Sequence, residues 1–122
     1  MITPYADQAR EIRARLSRLD RAAAKHGIEC STVHRFQGHE RDLVIFDTVD
    51  TVPLPPGVLL SGRRAGSAAP NLINVSLSRA RGKLILVSDV DYFERQAPGS
   101  IVTTTLRRML AAGAPRVATS SP

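Results

Sequence analysis

The stretch Cys30-Ser-Thr-Val-His-Arg-Phe-Gln-Gly-His-Glu-Arg-Asp-Leu-Val-Ile-Phe-Asp47 decides the fold, because it sets a polar loop between two short apolar runs. The β-branched pair Thr32 and Val33 favours a strand before the loop, and residues 43–49 predict a second strand after it, buried on both faces if the sheet is parallel. The loop between them contains residues that could bind a ligand or take part in catalysis, namely His34, Gln37, Gly38, His39 and Glu40. We therefore expect function to reside here.

Helical and extended patterns alternate around this stretch. Residues 6–25 repeat apolar side chains at spacings of three and four, which predicts an amphipathic helix capped by Gly27. Residues 28–33 and 83–87 predict strands, and residues 100–112 predict a last helix. Strands separated by helices indicate an α/β layered fold.

Residues 50–70 interrupt this regularity with prolines and glycines, and they predict a long loop. A short helix over residues 71–81 follows, and its last turn presents Arg79 or Arg81. Ser88 and Asp89 come at the carboxyl end of a strand, where α/β proteins usually place ligand groups. We assign residues 1–113 to one domain and residues 114–122 to a flexible tail. A strand so close to Met1 leads us to expect that the domain was cut from a longer chain.

Composition bounds the class of protein. The 122 residues suffice for one core, with 43% hydrophobic and 23% charged residues. The net charge of +6 arises mainly from the second half, and the pI is near 10.7. Such a charge favours polyanions such as nucleic acid or nucleotide phosphates, and a solvated arginine-rich surface explains it about equally well.

Cysteine and hydropathy patterns point to the compartment. Cys30 is the only cysteine, so an internal disulfide and a sulfur-based metal cluster are both excluded. We find neither a signal-peptide pattern nor an apolar run near 18 residues, so we expect no membrane span and a cytoplasmic protein.

The polar loop permits two interpretations. Gly38 allows the backbone to approach a ligand, Glu40 can accept hydrogen bonds from ribose hydroxyls, and Gln37 can donate and accept. A simple tight turn explains Gln-Gly-x-Glu equally well. His34 and His39 are five residues apart and lack a cysteine partner, so we expect no metal site.

Arg79 and Arg81 form a second candidate group in Leu77-Ser-Arg-Ala-Arg81. They stand at alternating positions and point in different directions, so one can face a phosphate while the other pairs with a carboxylate or stays in solvent. An arginine directed at a transferring phosphoryl group raises the rate by about 10³ to 10⁵. A structural salt bridge is the usual role of a lone arginine.

The polar loop and the Arg79–Arg81 group indicate a protein family far more specifically in combination than either does alone. Residues 32–47, then residues 72–81 (Leu-Ile-Asn-Val-Ser-Leu-Ser-Arg-Ala-Arg) and residues 83–89, resemble motifs V and VI of superfamily 1 helicases. The most similar branch contains the RNA-decay helicases and their bacterial relatives, with the AAA-type helicase C-terminal domain. Ile-Thr-Pro-Tyr at residues 2–5 resembles the segment that precedes motif V.

This resemblance implies a RecA-like, three-layer domain with a mostly parallel sheet, namely the second lobe of an ATP-driven translocase. Arg79 would then act on the nucleotide as the arginine finger, with Gly38 and Glu40 nearby and Gln37 coupling nucleotide to nucleic acid. The residues implied for a single-stranded nucleic-acid track are Thr3, Thr32 and His34. The implied cofactor is ATP with Mg²⁺, and the implied partner is an N-terminal RecA-like lobe in cis or in trans.

The chain also departs from the helicase pattern. No Gly-x-x-x-x-Gly-Lys-Ser/Thr and no Asp-Glu pair occurs in it, so the phosphate-cradling loop and the magnesium carboxylates are missing. We therefore expect no ATP hydrolysis by this chain alone. Two alternatives stay open beside the motor lobe: a non-catalytic nucleic-acid-binding module, and a structural remnant, which has no need to retain Gln37, Gly38, Glu40 and Arg79 together.

Overall fold

A four-stranded parallel sheet forms the centre of the molecule. The computed structural model describes residues 1–19, 28–36, 40–57, 60 and 69–118. The strands are β1 (Ile2–Thr3), β2 (Ser31–Thr32), β3 (Arg41–Asp47) and β4 (Ala80–Val87), in the spatial order β2-β1-β3-β4. Because every neighbouring pair is parallel, the strand ends collect at two opposite edges of the sheet.

Four helices accompany the sheet within the described ranges. They are α1 (Ala6–Leu19), α2 (Ala69–Ser78), α3 (Val90–Gln96) and α4 (Ile101–Ala111). The predicted cap of the first helix at Gly27 lies outside the described residues. The last predicted helix is confirmed to within one residue at each end, and the Ser100 hydroxyl accepts a hydrogen bond from the Thr103 amide as its N-cap.

The sheet is covered by helices on both faces. Val44 and Phe46 of β3 point into the main core, which also holds Ile73 of α2 and Phe93 of α3. Ile2 shares that core and aligns with Ser31, so the preceding Cys30 points to the other face, where its Sγ lies 3.6 Å from the Ala9 carbonyl of α1. The predicted α/β, RecA-like fold is thereby confirmed.

Several predicted boundaries were wrong. Residues 28–33 form a strand only over Ser31–Thr32, and β3 is not buried on both faces, since Leu43 is 49% exposed. Helix α2 begins at Ala69, inside the predicted loop, and ends at Ser78, so Arg79 follows the helix and Arg81 belongs to β4. Helix α3 was not predicted, because its seven residues are too few to show a helical period.

Candidate functional site

The amino edge of β3 and β4 brings two of the predicted nucleotide residues together. The Arg41 amide donates a hydrogen bond to the Arg79 carbonyl at 3.0 Å, and Arg41 aligns with Ala80 in the β3–β4 pair. Glu40 and Arg79 therefore immediately precede two adjacent parallel strands. The Arg79 amide donates to the Ser76 carbonyl at 3.3 Å, which holds the turn after α2.

Arg79 and Arg81 differ in their partners. Arg81 forms an exposed ion pair with Asp42 at 3.0 Å. Arg79 is half-buried, its Nε is buried without a hydrogen-bond partner, and no carboxylate of the described residues pairs with it. A buried donor without an acceptor is costly, so the Arg79 guanidinium is suited to an anion supplied from outside the described chain.

The predicted nucleic-acid residues lie at the opposite, carboxyl edge. Thr3 and Thr32 are aligned as the last residues of β1 and β2. The Thr32 side chain is half-buried and His34 is exposed, but Thr3 is fully buried and its Oγ1 has no hydrogen-bond partner among the described residues. The burial of Thr3 leaves Thr32 and His34 as the two members of this set that a ligand reaches directly.

One segment connects the two edges. After β2, the amides of Arg35 and Phe36 donate to the Thr32 carbonyl at 3.1 and 3.0 Å, forming one helical turn at the carboxyl edge. The chain is back at the amino edge by Glu40, where β3 begins. Phe36 and Glu40 therefore lie towards opposite edges of the sheet, and β1 lies between β2 and β3. Gln37 and Gly38, predicted in this segment, lie outside the described residues.

A hydrogen-bonded group at the carboxyl edge, made by Tyr5, Asp50 and Gly57, was not predicted from the sequence. The Tyr5 hydroxyl donates to Asp50 Oδ1 at 2.6 Å, and the Gly57 amide donates to Asp50 Oδ2 at 2.9 Å. A Cβ at Gly57 would overlap the Tyr5 hydroxyl, so a larger residue there requires the Tyr5 side chain to move away from Asp50. Burial and the hydrogen bond to Asp50 raise the pKa of Tyr5 well above its usual range. Only the Pro and Gly content of the loop hinted at this contact.

A second contact ties the same loop to α3. The Asp89 carboxylate accepts hydrogen bonds from the Thr51 hydroxyl at 2.6 Å and from the Tyr92 amide at 3.1 Å. The Thr51 hydroxyl, followed by the Tyr92 amide, lowers the pKa of Asp89. Asp89, predicted as a ligand group, serves here as the N-cap of α3.

The carboxyl edge of β3 and β4 also borders a cavity of about 700 Å³ that reaches α4 and the residues after it. Val49 at this cavity has a φ of 66°, in the left-handed region that a β-branched residue rarely adopts. The Asp50 amide closes the turn by donating to the Thr48 carbonyl at 2.7 Å.

Metal and thiol chemistry gain no support from the described residues. Within them, no three His, Cys, Asp or Glu side chains are grouped to hold a metal ion. Burial raises the pKa of the Cys30 thiol, which disfavours the reactive thiolate. The described residues therefore offer no carboxylate set for Mg²⁺.

A parallel sheet flanked by helices, with Arg79 at the amino edge and no carboxylate of the described residues pairing with it, is the architecture expected for the C-terminal RecA-like lobe of a superfamily 1 helicase. Residues 1–91 match a family model described as "AAA domain", and the chain belongs to that family.

A curated relative supports the same class. The chain is 30% identical over 112 residues to "Helicase sen1" of Schizosaccharomyces pombe, a match that covers 90% of this chain and 6% of that protein. The chain thus spans a small fraction of this relative's length. Among the described residues, no helix is both long and apolar enough to cross a membrane.

Proposed function

We propose that the chain is the second motor lobe of an ATP-dependent nucleic-acid translocase and that Arg79 is its arginine finger. The observation that carries the proposal is the Arg79 side chain, half-buried at the amino edge beside Glu40 and without an acceptor among the described residues. A structural arginine in this setting is expected to have a carboxylate partner, as Arg81 has in Asp42.

The role of Arg79 is electrostatic. Negative charge builds up on the oxygens of a transferring phosphoryl group, and a fixed guanidinium at hydrogen-bond distance stabilises it. Glu40 stands next to Arg79 across the β3–β4 pair and is exposed, so its carboxylate is available to a ribose hydroxyl.

The opposite edge contributes the nucleic-acid track. The Thr32 hydroxyl and His34 are placed to contact backbone phosphates of a single strand, contacts that hold the strand without reading its sequence. We assign Thr3 to this track in an indirect role, since its buried hydroxyl needs a local opening before it can meet a phosphate. Gln37, which follows Phe36 in the sequence, would transmit the state of the nucleotide to the track.

Magnesium and the phosphate-cradling loop belong to another lobe in this proposal. When bound there, ATP with Mg²⁺ supplies the phosphoryl group whose hydrolysis drives movement. The relative named "Helicase sen1" is much longer than this chain, and the extension of helicase activity to the present protein rests on the match to one segment of it.

An ATPase assay tests the proposal. The 122-residue chain is joined to, or mixed with, a phosphate-loop lobe from the same polypeptide or proteome, and hydrolysis is measured with and without single-stranded nucleic acid. We expect no hydrolysis by the chain alone and nucleic-acid-stimulated hydrolysis by the combination. Nucleic-acid binding without hydrolysis in any combination would identify the non-catalytic binding module instead.

A further inference from the structure

The loop after β3 presents an apolar tip to solvent. Val52 is 60% exposed and Leu54 is 71% exposed, and the neighbouring Pro53 and Pro55 are exposed as well. Single exposed aliphatic side chains are ordinary on protein surfaces, but a contiguous apolar group at the carboxyl edge of an α/β sheet calls for an explanation. We name residues 51–55 the apolar tip.

The backbone of the apolar tip is held from three sides. At the two ends of the loop, Asp50 accepts a hydrogen bond from the Tyr5 hydroxyl, and the Gly57 amide donates to the same carboxylate. Between them, Thr51 donates to Asp89, and the Tyr92 hydroxyl donates to the Leu54 carbonyl at 2.7 Å. A surface that is fixed before binding loses little conformational entropy on contact, so even a small apolar area can contribute to affinity.

Charge is unevenly distributed along the carboxyl edge. The carboxylates of Asp50 and Asp89 lie under the apolar tip, next to β3 and β4, and the tip itself carries no cation. At the β2 end, Arg35 is exposed and pairs with no carboxylate of the described residues. A phosphate backbone is attracted to the Arg35 side of this edge more than to the side of Asp50 and Asp89, where Arg116 and Arg95 only partly offset the carboxylates.

We propose that the apolar tip contacts the bases of the single strand whose phosphates lie on Thr32, His34 and Arg35. This inference rests on the proposed function, because it needs a nucleic acid on this edge. In the arrangement that we propose, the bases face β3 and β4, where Val52 and Leu54 offer an exposed apolar surface to a base plane or base step. Aliphatic and proline side chains serve as such wedges in nucleic-acid complexes.

Abasic probes separate base contacts from phosphate contacts. Fluorescence anisotropy measures binding of the 122-residue chain to a single-stranded oligodeoxynucleotide of about 15 nucleotides, and to an abasic oligomer of equal length and charge. The test variant combines Val52→Ala with Leu54→Ala. The control combines Leu19→Ala with Val75→Ala, which removes the same atoms from side chains of α1 and α2 that are 84% and 37% exposed.

We expect the tip variant to bind the normal oligomer about threefold to tenfold more weakly, with unchanged affinity for the abasic oligomer and an unchanged salt dependence. The control variant should match the unmodified chain on both probes. Equal affinity of the tip variant and the unmodified chain would overturn the tip contact while leaving the proposed function intact, and so would equal losses on both probes. Absence of binding by the unmodified chain to either probe would overturn the proposed function and the tip contact together.

A protein partner is the competing occupant of the apolar tip. If the tip variant keeps full affinity for the oligomer but loses association with a phosphate-loop lobe, the tip is a lobe contact and our assignment is wrong. Because Val52 and Leu54 are exposed, the substitutions leave the core and the hydrogen bonds of the loop in place.

Discussion

At the scale of single residues, Arg79 and Arg81 are separated by one residue but differ in whether a carboxylate pairs with the side chain. Arg81 lies in β4 and pairs with Asp42 of the adjacent strand, and both side chains are exposed. Arg79 occupies the turn before β4, and its buried Nε has no hydrogen-bond partner in the part of the chain that the structure describes. The alternation of side chains along a strand predicts that the Arg79 and Arg81 side chains point in different directions. Which of them pairs with a carboxylate depends on the position of the adjacent strand, and the sequence does not show this.

This difference in partners predicts how substitution of each arginine affects the free energy of unfolding. We expect Arg79→Ala to change the free energy of unfolding by less than about 1 kcal/mol, because no ion pair within the described residues is lost and a buried donor that none of them satisfies is removed. Arg81→Ala should cost about 0–1 kcal/mol, the usual value of an exposed pair. Urea unfolding of both variants measures this, and a loss of about 3 kcal/mol or more for Arg79→Ala would show a structural arginine.

Tyr5 predicts a pH dependence. Its pKa is raised in the folded state by burial and by the Asp50 carboxylate, so the folded state favours the neutral hydroxyl. The stabilisation is fully present below the unfolded pKa of about 10 and is lost as pH rises further towards the folded pKa. Tyr5→Phe should therefore lose stability near neutral pH, by about 1–2 kcal/mol, and show a flatter decline above pH ~10.

Denaturant unfolding of Tyr5→Phe at several pH values carries out this comparison. Tyr92 is present in both proteins and serves as the internal control for other tyrosine titration. Parallel declines of the two proteins in alkaline solution would exclude Tyr5 as the titrating group.

At the scale of elements, strong periodicity made parts of the fold predictable. The amphipathic stripe of α1 and the apolar run of β4 are long enough for their periodicity to be recognised in the sequence. Helix α3 was missed because it is short and its two fully buried aromatic residues, Tyr92 and Phe93, are adjacent and show no period. Strand β2 is shorter than predicted, because the chain turns after Thr32 to carry the connecting segment.

Substitution of Asp89 tests the link between α3 and the loop after β3. As N-cap it accepts from the Tyr92 amide, and it also holds Thr51, so we expect Asp89→Ala to cost about 1–2 kcal/mol. Asp91→Ala is the control, since Asp91 is an exposed carboxylate of the same helix that pairs with Arg116 at 3.5 Å.

The lowered pKa of Asp89 gives the sign of the pH effect. Its stabilisation is present above the unfolded pKa of about 4 and disappears as pH falls through the folded value. Thermal unfolding at pH 7 and in acid should show the gap between Asp89→Ala and the unmodified chain closing in acid. A gap that stays constant would refute the charged N-cap.

At the scale of the whole molecule, two opposite sheet edges carry two sets of residues. The proximity of Glu40 and Arg79 was predictable from the motif pattern and follows from parallel pairing of β3 and β4. The burial of Thr3 was not predictable, because it depends on how α1 and the loops close over the short central strand. The Tyr5–Asp50–Gly57 anchor is equally non-local, joining residues up to 52 positions apart.

The charge distribution predicts a salt dependence. Binding of the chain to single-stranded nucleic acid should weaken steeply with salt, because the track makes phosphate contacts. Arg35→Ala should reduce the slope of log affinity against log salt by about one phosphate contact. Arg15→Ala, which removes a helix-surface arginine already paired with Glu11, should leave the slope unchanged. A slope unaffected by Arg35→Ala would exclude Arg35 from the track.

The most direct measurement of the central claim is single-turnover ATP hydrolysis by the chain combined with a phosphate-loop lobe, in the presence of single-stranded nucleic acid. We predict that Arg79→Ala slows hydrolysis by about 10³-fold or more while nucleotide affinity changes little, because the guanidinium acts on charge that forms only in the transition state. Arg81→Ala, whose partner is Asp42, should hydrolyse ATP at the unmodified rate. Equal rates for Arg79→Ala and the unmodified protein would contradict the account.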